Sequence, residues 1–146
     1  MDIKFSEIWK EILDNDFDFL IMPGWTANDL LRDKVVDAFI KVRSMMEMNS
    51  TVIENYFKVI HTSLRKNGLF ARINRYMKPV MTQSKNTEIS RILDYPFDTY
   101  WSPLYSFPSE IQPHIQVLIA RREDTKPIFP FKEILKTVRQ KIYRSR

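Results

Sequence analysis

Three things are scarce in this sequence. There is no cysteine, which excludes disulfides, thiolate catalysis and cysteine–zinc sites. Glycine occurs only at Gly24 and Gly68, too far apart to form a G-x-G turn. No apolar run is long enough to span a bilayer, and the charged opening MDIKFSEIWKEIL has no signal-peptide core. A cytoplasmic protein is therefore expected. The only two histidines, His61 and His114, are isolated from each other, so no metal site is expected. His61, beside the apolar stripe of its helix, reads as structural.

What is present suits one globular domain. The 146 residues are 44% hydrophobic and 28% charged, with ten Phe and three Trp for a core. The net charge is +5, and its location matters. Lys132, Lys136, Arg139, Lys141, Arg144 and Arg146 face only Glu133 in the final segment, while the remaining 17 bases and 17 acids cancel. The chain divides into a neutral body, 1–130, and a basic amphipathic helix, 131–146. That helix can serve an anionic surface or be an ordinary packed helix with a solvated basic face. Nucleic acid is not expected as a partner, because no helix-turn-helix or basic-aromatic strand motif is present.

The stretch from Val35 to Tyr76 organises the chain. Val35–Val42 is a β-branched run of strand length. A capping box at Thr51 and Glu54 predicts the start of a helix whose stripe is Val52, Ile53, Tyr56, Phe57, Ile60 and Leu64. Asn67-Gly68 predicts its left-handed stop, followed by a strand over Leu69–Ile73. A unit of this length predicts two parallel strands joined by a crossover helix.

Upstream, a helix over Phe5–Leu13, a strand over Phe17–Met22 and a connector over Trp25–Lys34 are expected. Downstream, Met77–Asp98 is a long polar stretch with a short helix expected near Thr87–Leu93. Thr99–Phe107 reads as a strand that Pro103 confines to an edge or a break. His114–Ala120 is a strong strand, close enough to form an antiparallel hairpin with it. A last helix is expected over Phe131–Tyr143. Overall, the fold class is α/β, with parallel strands ending in an antiparallel hairpin and flanking helices.

Four patches in this order resemble the putative sugar O-methyltransferase family of class I S-adenosylmethionine-dependent methyltransferases. They are a strand ending at Pro23 followed by Val36-Asp37-Ala38-Phe39-Ile40; Ser44-Met45-Met46-Glu47-Met48 leading into a helix with Tyr56; Gly68 before a strand ending Asn74-Arg75-Tyr76; and Tyr95-Pro96-Phe97-Asp98 with Trp101, Gln112-Pro113-His114-Ile115 and Arg121. The resemblance covers roughly residues 15 to 122. It implies an incomplete Rossmann-like sheet, from about the family's third strand onward. Lys41 and Arg43 depart from its pattern, standing where small or amide residues are expected.

The family's cofactor is S-adenosylmethionine, held on a Gly-rich turn that this sequence lacks, since backbone must approach it without a Cβ in the way. The chain is therefore expected neither to bind the cofactor nor to turn over alone. A truncated frame, a split gene or a degenerate relative would each account for that. Partners implied are a sugar or glycan acceptor, and a complementary N-terminal fragment or a second copy at an exposed sheet edge.

By the same resemblance, Glu47 is the candidate base or substrate ligand, with Ser44 as its hydrogen-bonding partner. Glu47 can equally cap the following helix. Asn74 and Arg75, at the end of the next strand, are candidate acceptor ligands, with Arg75 alternatively paired to Glu47 or Asp98. Tyr95 and Trp101 can stack on a sugar ring or pack in the core. Asp98 and His114 complete the candidate substrate set. Met45, Met46 and Met48 read as gap-filling core.

Overall fold

A computed structural model describes residues 36–75, 77–79 and 89–136. The expected elements over Phe5–Leu13, Phe17–Met22 and Trp25–Lys34 lie outside these residues, as do Gly24, Tyr76 and the second half of the final helix. Within them the fold is α/β. Strand β1 (Val36–Val42) leads through a 3₁₀ turn at Met45–Glu47 into helix α1 (Ser50–Ser63), and strand β2 (Leu64–Arg75) follows directly. Short strands β3 (Met77–Pro79) and β4 (Ile89–Arg91) pair with each other, ahead of a 3₁₀ turn at Ile92–Asp94. Strands β5 (Trp101–Pro108) and β6 (Ile115–Arg122) complete the main sheet, and a helical segment over 131–136 follows.

The main sheet has the order β1-β2-β6-β5. β1 and β2 are parallel, as the crossover length requires, and β6 runs antiparallel to both β2 and β5. The expected hairpin is present, and its second strand lies inside the sheet. Pro103 sits on an edge strand of the described sheet, and the register against β6 slips beside it, between Pro103 and Tyr105.

Three local expectations are corrected. The helix cap is Asn49 and not Thr51: the Asn49 side chain accepts from the Val52 amide at 2.9 Å. The helix also ends a turn before Asn67. Thr62 and Ser63 turn their hydroxyls back onto the Val59 carbonyl, at 3.0 and 2.6 Å, and Leu64 is already extended. Asn67 does adopt φ 58°, but within β2, where the pairing jumps from Val36–Leu64 to Ala38–Leu69. Gly68 is required there for space, since a Cβ would meet the Arg65 carbonyl and the Leu64 side chain at 2.8 Å. Finally, Thr87–Leu93 gives strand β4 and a 3₁₀ turn instead of a short helix, with 80–88 outside the described residues.

Alternation along the strands divides the sheet into two faces. Phe70, Leu118 and Ala120 point at α1 and are fully buried. They meet Ile53, Phe57, Ile60 and Leu64 in the core, which Phe131 and Leu135 close from the C-terminal side. Phe97 stands at its centre, with ring centroids 4.8 Å from Phe57, 5.5 Å from Trp101 and 4.5 Å from Phe131. On the other face Ile40 is 67% exposed, and Val42, Tyr105 and Phe107 are also exposed.

Phe97→Ala removes the ring on which five others pack, and should cost about 3–5 kcal/mol in urea unfolding. Tyr105→Ala, on the open face, should cost less than about 1 kcal/mol. Equal losses would contradict this division of the sheet.

Candidate functional site

Parallel pairing places the carboxyl ends of β1 and β2 together, with Val42 opposite Ile73. The chain leaves β1 through Arg43, whose φ of 57° is unusual for a residue with a side chain. Its amide donates to the Ile73 carbonyl at 2.9 Å, and its guanidinium donates to Gln112 Oε1 at 2.6 Å. Met45, fully buried, anchors the 3₁₀ turn that follows. Glu47, at the end of that turn, donates its amide to the Ser44 carbonyl at 3.2 Å and is exposed.

At the end of β2, Asn74 is almost wholly buried, and its Oδ1 accepts from the Arg75 amide at 2.8 Å. Arg72, fully buried one residue pair earlier, donates to the Arg75 carbonyl at 2.9 Å. The Arg72 guanidinium also lies 5.1 Å from the Tyr95 ring centre. Gln116, bonded to Ser106 Oγ at 2.8 Å, lies beside Arg72. The strand end is thus fixed from within.

The turn between β5 and β6 supplies the opposite wall. It is tied by Ser109 N–H to the Ile115 carbonyl at 2.7 Å and Ile115 N–H to the Gln112 carbonyl at 2.8 Å. Together these segments form a cleft of about 290 Å³ lined by Arg43, Glu47, Asn74, Arg75, Gln112, His114 and Ile115.

Four residues singled out from sequence therefore share one cleft: Glu47, Asn74, Arg75 and His114. His114 lies in the turn and does not open the strand, which starts at Ile115. Ser44 is partly buried at the start of the 3₁₀ turn and does not line the cleft. Arg75 forms no ion pair with Glu47 or Asp98 among the described residues. Three liners were missed. Arg43 stood out in the sequence as a departure from the family pattern, and Gln112 and Ile115 lay in a quoted patch. Their shared signal was position, at a strand end and in the hairpin turn that folds back over it.

Tyr95, Asp98 and Trp101 lie elsewhere. Tyr95 and Trp101 are 1% and 0% exposed within the aromatic cluster. Asp98 belongs to the opposite end of the sheet, near the start of β2. It grips Arg122 with both oxygens, at 3.2 and 2.8 Å, and accepts the Tyr100 amide at 2.9 Å. Trp101 Nε1 donates to His61 Nε2 at 3.3 Å, and that nitrogen is 3.9 Å from Asp98. Burial raises the Asp98 pKa, but the Arg122 pair and the Tyr100 amide outweigh it and hold the carboxyl below its ordinary value. The group ties the Asp98–Trp101 turn to β6.

Gly68, the one glycine among the described residues, is committed to the β2 bulge and is part of no Gly-rich turn. Among the described residues no three His, Asp or Glu side chains converge as a metal site, and no helix is long and apolar enough to cross a membrane. No family model, curated protein or solved structure matches the chain.

Two substitutions test these assignments. Because the folded Asp98 pKa is lowered, its contribution is complete above the unfolded carboxylate pKa and fades as pH falls through the folded value. Asp98→Asn should lower stability by about 1 kcal/mol at neutral pH, a discounted figure because solvent screens a group 36% exposed. Thermal melts of wild type and variant should converge in acid. Among the described residues the buried Tyr95 hydroxyl has no hydrogen-bond partner, so Tyr95→Phe should leave stability unchanged or raise it. A loss above about 1 kcal/mol would show that the hydroxyl is bonded.

Proposed function

We propose that the chain is the acceptor-holding part of a sugar O-methyltransferase-type unit, built on the later strands of a Rossmann-like sheet. The observation that carries this reading is the convergence of Glu47, Asn74, Arg75 and His114 on one cleft. They come from three separate sequence patches and meet where parallel strands end, the position at which α/β sheets present ligand-binding groups. The parallel pair followed by an antiparallel hairpin agrees with the same reading.

In this cleft a sugar hydroxyl lies against the exposed Glu47 carboxylate, which accepts its hydrogen bond and can take its proton. Asn74 and Gln112 supply neutral amide groups suited to neighbouring hydroxyls. S-adenosylmethionine is the methyl donor the resemblance implies, and the residues that would hold it are not among those described.

A second reading rests on β1. It is an edge of the described sheet and exposes Ile40 and Val42, so the chain can instead act as an interaction module that pairs there. A mass that rises with concentration in sedimentation would favour it. The basic-tail reading depends on residues that lie mostly outside the description.

Calorimetric titration of the folded chain with an oligosaccharide panel and with S-adenosylhomocysteine tests the proposal. Saturable saccharide binding is expected, weakened about tenfold by Glu47→Gln through loss of a charged acceptor. No heat is expected from S-adenosylhomocysteine. Absence of any saccharide binding would sink the acceptor reading, and tight cofactor binding would sink the view that the donor site lies elsewhere.

A further inference from the structure

The charge of the cleft narrows the acceptor, on the reading just given. Its lining holds two guanidinium groups and an imidazole against one carboxylate, although the body of the chain outside its C-terminal segment is electrically balanced. Arg75 is exposed, and among the described residues its guanidinium has no hydrogen-bond or ion-pair partner. Arg43 spends one donor on Gln112 Oε1, a neutral acceptor that aims the group without cancelling its charge.

Exposed arginines are usually solvated, and that alone would carry nothing. Two further observations distinguish this pair. Arg43 is held in the left-handed region, which residues with a Cβ rarely adopt, and strain of this kind collects where a side chain must be presented. The backbone under both arginines is also fixed from behind, Arg43, just past β1, by the Ile73 carbonyl and Arg75, at the end of β2, through the Arg72 contact to its own carbonyl. Side chain and not backbone is what a ligand has to order.

A neutral saccharide offers hydroxyls, which a mixture of amides and one carboxylate serves. Planar guanidinium forks with donors to spare match a carboxylate or a phosphate. We propose that the cleft takes an acidic saccharide, with its carboxylate or phosphate held by Arg75 and Arg43 beside His114. Its adjacent hydroxyl is then turned to Glu47, since that carboxylate repels the anionic end.

The test titrates the full chain with matched ligands: a glucuronate-containing disaccharide, a sugar phosphate, the neutral disaccharide, and inorganic phosphate. Acidic saccharides should bind at least about tenfold tighter than the neutral one, by one charged hydrogen bond or more. That preference should shrink as salt rises. Arg75→Gln removes no side-chain hydrogen bond or ion pair among the described residues and should reduce it about tenfold. The two acidic arms tell carboxylate from phosphate. Equal binding of neutral and acidic sugars, indifferent to Arg75→Gln, would overturn this inference and leave the saccharide cleft standing. Inorganic phosphate binding as well as the acidic sugars would overturn it as a plain anion site. No saccharide binding would remove the acceptor reading, and this inference with it.

Discussion

The fold depends on one aromatic contact set. Phe97 touches rings from α1, from β2, from the start of β5 and from the segment at 131–136. It is the point at which pieces far apart in sequence become one core. Edge-to-face packing gives these rings specific geometry as well as buried area. The cluster reaches the rim of the cleft through one line of contacts. Phe57 packs on Tyr95, Arg72 lies over Tyr95, and Arg72 bonds the carbonyl at the end of β2. Core and cleft are therefore mechanically continuous.

The two ends of the sheet use their charges differently. Near the start of β2, Asp98, Arg122, His61 and Trp101 satisfy one another and close the structure. At the far end, Arg43 and Arg75 stand on rigid backbone with donors to spare. A residue type in a patch does not say which of these roles it plays. Partners do, and partners are set by the fold.

That explains what was legible in the sequence. The parallel pair, its crossover helix and the hairpin follow from β-branched runs, 3.6-residue spacing and loop length, all local properties. Pro103 announced its own edge position. The helix ends were less legible, because Asn49, Thr51, Ser63 and Asn67 are all competent terminators and tertiary pairing chose among them. Four of the eight candidate residues fall on one cleft because strand ends are predictable positions. Tyr95 and Trp101 were not separable from ligand-stacking residues by sequence, since burial depends on what Phe97 brings against them. Asp98 was drawn away by Arg122, a pairing fixed only when β6 lies beside β5.

The open face of the sheet has a thermodynamic consequence. Strands in a parallel arrangement are ordinarily covered on both sides, yet Ile40, Val42, Tyr105 and Phe107 keep much of their apolar surface wet in the described sheet. Apolar surface already hydrated in the folded state adds nothing to the heat capacity of unfolding. This part of the molecule therefore has a flatter dependence of stability on temperature than a sheet of its size clothed on both sides. Any layer that settles on that face announces itself by a negative heat capacity change, whatever its sequence.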